Sequence, residues 1–212
     1  MPNILAIETS THICSVAIIT DNLSVQQCSI AYTESHASDL HPLIEQCLNL
    51  CQLQFNQLSA IAVSIGPGSY TGLRIGLSSA KAFAYSLAIP IISIDTLAAM
   101  QYQAATDIAN TIALLDARHN NCYLKHSNAP SCFFEINKNN VEQFADKNNI
   151  FVGVASALFL PFLPNATTIQ HIAPSAESIA LLAMKQFDNQ LFDNLAYLEP
   201  NYIKPANITI KK

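Results

Sequence analysis

The residues that could do chemistry in this sequence are one glycine-rich loop, three acids and two arginines. The loop is Gly66-Pro67-Gly68-Ser69-Tyr70-Thr71-Gly72, with Arg74 two residues further on. Its glycines admit backbone angles that other residues resist and let a ligand or another backbone approach closely. Pro67 stiffens the turn. Ser69 or Thr71 can cap a following helix, whose free N–H groups could hold an anion. The loop is no P-loop, because the Gly-Lys-Ser/Thr ending is missing. Gly66, Gly68 and Gly72 give G-x-G-x-x-x-G, one residue longer than the dinucleotide fingerprint. Asp95 ends the next strand, where a ribose-binding acid would sit. A tight turn that positions the helix explains the loop at least as well as any ligand. Glu8 ends an earlier strand beside the hydroxyl-rich turn Thr9-Ser10-Thr11, and a functional Glu8 would face the same cleft; local hydrogen bonding by a strand-end acid is the equal alternative. Asp116 and Arg118 close a later strand and join Glu8 and Asp95 as candidate cleft residues. Arg74, in a first helical turn, opposes the helix dipole and calls for a neighbouring acid, or failing that a bound anion.

Other chemistries find less support. Ser69 lies in G-P-G-S-Y-T-G rather than G-x-S-x-G, so no nucleophile elbow is present. His36, His41, His119 and His171 are scattered, and no histidine pairs with a serine by spacing. His12 reads as an exposed loop residue. A metal-independent peptidase or other small hydrolase stays as the alternative activity. The six cysteines include no C-x-x-C pair; Cys47 and Cys51 share one helix face and read as small buried hydrophobes.

These residues need elements to hold them. Ile61–Ile65, the glycine loop, a helix over Gly72–Leu87 and Ile89–Ile94 read as strand, crossover helix and parallel strand. Sites in such sheets lie beyond the carboxyl ends of the strands. Before this unit, Asn3–Ile7, Cys14–Ile19 and Ser24–Tyr32 read as an antiparallel meander, with a turn at Asp21-Asn22. A helix over Glu34–Leu53 carries the seam Ala37, Leu40, Ile44, Cys47 and Cys51. After it, Thr96–Thr106 reads as helix and Ala109–Leu115 as a strand returning through Cys122-Tyr123-Leu124. Asn128–Asn140 is loosely specified, Val141–Asn149 is a short helix, and Ile150–Val154 and Ala166–Ile172 are strands. A helix starts at Pro174-Ser175-Ala176-Glu177, and an ordered tail follows Leu191. Only a change in composition near residue 100 hints at a boundary.

Half of the 212 residues are apolar and 12% are charged, against about 25% in ordinary soluble domains. No apolar run reaches the ~18 residues of a membrane span, and the first residues lack a basic segment, so a cytoplasmic protein with no membrane contact and a permanent partner is expected. Net charge is −5 with ten Lys and Arg, which disfavours independent nucleic-acid binding.

The stretches I-L-A-I-E-T-S-T (Ile4–Thr11), C-S-V-A (Cys14–Ala17), I-G-P-G-S-Y-T-G-L-R-I-G (Ile65–Gly76), I-S-I-D-T-L (Ile92–Leu97) and L-D-A-R (Leu115–Arg118) stand out as motifs. Together they resemble the bacterial TsaB family, a non-catalytic partner of TsaD in making threonylcarbamoyladenosine in tRNA. Pro200-Asn201-Tyr202-Ile203-Lys204 resembles the family's closing segment. The match is strong to about Arg118, and the second half looks shorter and more divergent.

The resemblance implies an α/β, actin-like or sugar-kinase-like fold of two related, reduced lobes. Residues 1–100 would form the first lobe with the partner-binding helices. Residues 101–212 would form a smaller lobe whose final helix and tail pack back on the first. It implies a scaffold or activating subunit that binds TsaD and supports threonylcarbamoyl transfer to adenosine 37 of tRNAs reading codons that begin with A. Relatives of TsaD carry an H-x-x-x-H metal pair just after the strand equivalent to Ile91–Asp95; Thr96–Gln101 has no histidine here. The resemblance therefore implies no catalytic residues, no metal and no intrinsic cofactor, with ATP and metal used by partner subunits. TsaE would join in a nucleotide-dependent complex, tRNA would be contacted mainly through the complex, and the chain alone could pair with itself. The expected interface comprises Ala37, Leu40, Ile44, Cys47 and Cys51 of the first helix and Leu73, Gly76, Ala80 and Ala84 of the second.

Overall fold

The computed structural model describes residues 2–20, 24–31, 35–104, 108–146, 148–163 and 168–204. β1 (Ile4–Glu8), β2 (Cys14–Ile19) and β3 (Val25–Ile30) form an antiparallel meander. α1 (His36–Leu50) leads to β4 (Ala60–Gly66), parallel to β1, and α2 (Tyr70–Leu87) leads to β5 (Ile91–Asp95), parallel to β4. The sheet order is β3-β2-β1-β4-β5. The turn expected at Asp21-Asn22 lies outside the described residues.

The same plan then repeats. β6 (Thr111–Asp116), β7 (Asn121–His126) and β8 (Cys132–Glu135) form a second meander, and β9 (Ile150–Val152) and β10 (Thr168–Gln170) add in parallel beyond β6. The order β10-β9-β6-β7-β8 matches the first sheet strand for strand when read from its meander edge. This duplication is the α/β plan of the actin-like, sugar-kinase-like fold. The second copy is reduced. Where the first has the 15-residue α1, the described residues of the second show α4 (Lys138–Val141) and a 3-10 turn. Where the first has the 18-residue α2, the described residues of the second show a 3-10 turn over Val154–Leu158. β8 falls in the stretch that looked loosely specified. It is a four-residue edge strand with an exposed face, so no alternation of buried and exposed residues marks it.

The helix that follows each sheet serves the other one. α3 (Thr96–Ala104) puts Leu97 and Met100 against Ala113, Leu115 and Val152 of the second sheet. α5 (Ala176–Asp188) packs Ile179, Ala180 and Ala183 on Ile4, Ala6, Ala62 and Ile92 of the first. Ser175 caps α5 by accepting the Ser178 amide, and Ser15 Oγ accepts the Ala176 amide at 3.0 Å, which fixes the helix start on β2. α3 and α5 therefore fill the layer between the sheets, and β1 and β2 are buried along their whole length.

α1 and α2 cover the outer face of the first sheet, and here the structure corrects the expected interface. Leu40, Ile44 and Cys47 are fully buried against Leu5, Ile7, Val16 and Ile61, in the chain's own core. Leu73 is 1% exposed, and Ala80 and Ala84 are 0% and 1% exposed. Gly76 is buried too, because any Cβ there would strike Thr9 Oγ1. The small residues of α2 let it approach its own sheet. Each large side chain buried this way contributes roughly 1.5–3 kcal/mol. Of the expected set, Ala37 is exposed and Cys51 half-buried.

After α5 the chain returns over the first lobe. The Asp193 amide donates to the Ile91 carbonyl and Asp193 Oδ2 accepts the Ser93 amide at 2.6 Å, which covers the free edge of β5. Leu195 and Leu198 pack on the outer core, and Lys81 Nζ donates to the Leu198 carbonyl at 3.1 Å.

Candidate functional site

The carboxyl ends of β1, β4 and β6 open into one cleft between the lobes, with a volume of about 700 Å³. Its walls are Ser10, Thr11 and His12 after β1; Gly68, Ser69, Tyr70 and Thr71 after β4; Leu115 and Asp116 at the end of β6 with Ala117 and Arg118 after it; and Asn201–Lys204 of the tail. His36, Tyr123 and Val154 complete it.

The glycine loop is built by close backbone approach. The Ser69 amide donates to the Ser10 carbonyl at 2.6 Å. Ser69 Oγ accepts the Gly72 amide at 3.2 Å, so Ser69 is the N-cap of α2. Thr9 Oγ1 donates to the Gly72 carbonyl at 2.8 Å. A Cβ on Gly68 would meet the Ser10 backbone, and one on Gly72 would overlap the Thr9 carbonyl. Gly66 holds φ +113° beside the Asn201 carbonyl, a conformation that favours glycine. Of the loop, Gly68 to Thr71 face the cleft, whereas Gly66, Pro67 and Gly72 are buried behind its wall and Arg74 is exposed outside the lining.

The expected cleft residues divide. Asp116 and Arg118 do line the cleft. Asp116 Oδ1 accepts the Arg118 amide at 2.8 Å, and Arg118, His119 and Asn120 take positive φ of 64°, 54° and 56° in succession. Glu8 does not reach the cleft: it is completely buried, with Oε1 accepting the Ser10 amide at 2.5 Å. Burial raises its carboxyl above the usual 4.5, opposed by the hydrogen bond from the Ser10 amide. Asp95 does not reach it either. Its Oδ1 caps α3 by accepting the Ala98 amide at 2.8 Å, and its Oδ2 accepts from Ser131 Oγ at 2.7 Å. A strand-end acid three residues before a helical amide is an N-cap, and that spacing was present in Asp95-Thr96-Leu97-Ala98.

Arg74 is held by aromatic rings where an acid was expected. Its Nε donates to Tyr202 Oη at 2.8 Å. Its guanidinium lies 4.1 Å from the centre of the Tyr70 ring and 5.8 Å from that of Tyr202. The two rings are 4.7 Å apart. Tyr202 had no sequence signal as Arg74's partner. His36 was also missed: its Nε2 donates to the Thr11 carbonyl at 2.7 Å and steadies the turn after β1.

The cleft offers hydroxyls, two cationic side chains and one carboxylate for binding. Ser69 Oγ is committed to a helix amide and His36 Nε2 to a carbonyl, so the two are not arranged as nucleophile and base. Among the described residues, no three His, Cys, Asp or Glu side chains gather as metal ligands would. Burial pushes the Cys14, Cys47 and Cys122 thiols up to about 12, which leaves them as packing groups. No helix among the described residues is long and apolar enough to cross a membrane.

The family model of TsaD, tRNA N6-adenosine threonylcarbamoyltransferase, matches residues 30–208. The tRNA threonylcarbamoyladenosine biosynthesis protein TsaB of Haemophilus influenzae is 29% identical over 99% of this chain and 96% of its own length. TsaB of Bacillus subtilis is 32% identical over 57% of this chain, which spans 52% of that relative. Among solved structures, YeaZ from Pseudomonas aeruginosa superposes with a TM-score of 0.79 at 22% identity, over 95% of this chain and all of that one. The chain belongs to the TsaD-type family, in its bacterial TsaB group.

Proposed function

We propose that this protein is a non-catalytic subunit in the biosynthesis of threonylcarbamoyladenosine in tRNA, docking on a TsaD-type catalytic subunit and supporting transfer to adenosine 37. The observation that carries this is α3. Catalytic relatives place a histidine pair just after the fifth strand. In this chain Leu97, Ala99 and Met100 stand there, fully buried between the sheets. A metal site would need open, convergent imidazoles, and a packed apolar helix supports a scaffold role. The names of the TsaB relatives supply the pathway.

The docking face is the outward side of α1 and α2. It presents Ala37, Ser38 and His41 from α1 and Ser78, Ala82 and Tyr85 from α2, all exposed. Small side chains at Ala37, Ser78 and Ala82 allow close helix-on-helix approach. Tyr85, 79% exposed, is the large anchor. The same face pairs two copies when the partner is missing. The chain works in the cytoplasm and needs no cofactor of its own; ATP and metal serve the partner subunits, TsaE joins when nucleotide is bound, and tRNA is met through the complex.

Reconstitution tests this reading. With tRNA, TsaD, TsaE, ATP and threonylcarbamoyl-adenylate, modification should depend on this chain. Without TsaD, the chain should give no product. Multiple turnovers by the chain alone would reject the non-catalytic assignment, and full activity of the mixture without it would reject the subunit role.

A further inference from the structure

We propose that Asn201–Lys204 is a latch across the mouth of the interlobe cleft: docked it ties the two lobes together, and released it opens the cleft. The segment touches both lobes within four residues. On the first, the Asn201 amide donates to the Ile65 carbonyl at 2.7 Å, at the start of the glycine loop. Tyr202 then packs its ring at a tilt against Tyr70 and accepts from Arg74. On the second, Lys204 Nζ sits 5.0 Å from the centre of the Phe133 ring on β8, and Phe133 packs edge-on against Tyr123 of the cleft wall. Asn201, Tyr202, Ile203 and Lys204 all border the cleft.

The character of these contacts separates the latch from the core. Upstream, the tail is anchored by two half-buried apolar groups, Leu195 and Leu198, and by a bridge to β5. Over the described residues 201–204 the hold on the two lobes consists of one backbone hydrogen bond, one hydroxyl on an exposed arginine, a tilted ring contact and a lysine over a phenyl ring. Such contacts open locally at a smaller free energy than the core strands do. The Arg74–Tyr202 clamp closes the first lobe's side of the cleft, and Lys204–Phe133 closes the second's.

The full chain has no tryptophan, so Tyr123→Trp gives a single reporter inside the cleft wall. Arg74→Ala and Tyr202→Ala are made in that background, with Tyr202→Phe keeping the ring and losing the hydroxyl. Acrylamide should quench the reporter more strongly in both alanine variants, and less so in Tyr202→Phe. Amide exchange at Gly68–Thr71 and Ala117–Asn121 should rise by about tenfold while β1 stays protected. Unchanged quenching and exchange in both alanine variants would overturn the latch. An equal rise in β1 would make the segment part of the global fold and overturn it as well.

Discussion

The amide of Ser69 donates to the carbonyl of Ser10 at 2.6 Å, joining the turn after the first strand to the glycine loop after the fourth. The bond exists because Gly68 and Gly72 let two backbones meet. The loop's glycines are thus accounted for by packing, and the cleft they border is a consequence of that packing.

Replacing Gly72 with alanine tests this account through the sign of the effect. In an open helix, Gly→Ala stabilises by about 1 kcal/mol. Here the new Cβ would overlap the Thr9 carbonyl, a backbone atom that cannot swing away. Overpacking of this kind costs about 1–3 kcal/mol. Gly72→Ala should therefore melt several degrees lower than the parent. A higher melting temperature would show that Thr9 and α2 are not held this close.

Glu8 predicts a pH dependence. Its carboxyl is raised by burial, so the folded chain keeps a proton that the unfolded chain releases. The stabilisation from that proton is fully present below about pH 4.5. It is lost as pH climbs from there through the raised folded-state value. Glu8→Gln keeps the shape without the charge. Its melting temperature should fall less than the parent's over that window, so that the variant gains on the parent as pH rises. Parallel curves for the two proteins would place a charged, solvated Glu8 in the fold.

Ala80 and Ala82 lie on opposite sides of α2, and glutamate at each should fail differently. Ala80 is fully buried in the outer core. Ala80→Glu should lose cooperative melting, since an unpaired buried charge costs several kcal/mol. Ala82 is exposed, so Ala82→Glu should melt like the parent, within about 0.5 kcal/mol. On the proposed docking reading it should weaken TsaD binding measured by calorimetry. Native affinity in folded Ala82→Glu would remove that position from the interface.

The pair also shows what a sequence can and cannot announce. The periodicity of α1 and α2 marks Leu40, Ile44, Cys47, Ala80 and Ala84 as buried, but a period does not say against what. Their own sheet takes them all. β1 is apolar at every position before Glu8, the pattern of a strand covered on both faces, and an acid ending such a strand stays inside. The glycine loop, its cap at Ser69 and the parallel crossover were legible because their signals are local. Arg74 and Tyr202 are 128 residues apart, and no local pattern joins them. The repeat of the sheet order was hidden because the second lobe shrank its helices and kept strands of only three or four residues beyond its hairpin.

The last prediction concerns RNA. Affinity for tRNA rests on cations that can replace counterions along phosphates. This chain has ten Lys and Arg against fifteen Asp and Glu. Several of those cations are already engaged within the fold. Arg74 lies between two tyrosines, Lys81 holds tail carbonyls, Lys125 donates to Ala129, and Lys185 sits over Tyr102. Arg118 and Lys204 border the cleft, where Asp116 stands beside them. Titrating labelled tRNA into the isolated chain near physiological salt should give a Kd weaker than about 1 µM, in the range of non-specific contacts. Adding TsaD should tighten binding by more than TsaD achieves without this chain. A submicromolar Kd for the chain alone, steeply lost with added salt, would mean that it carries an RNA surface of its own and would overturn the delegation of RNA to the partner.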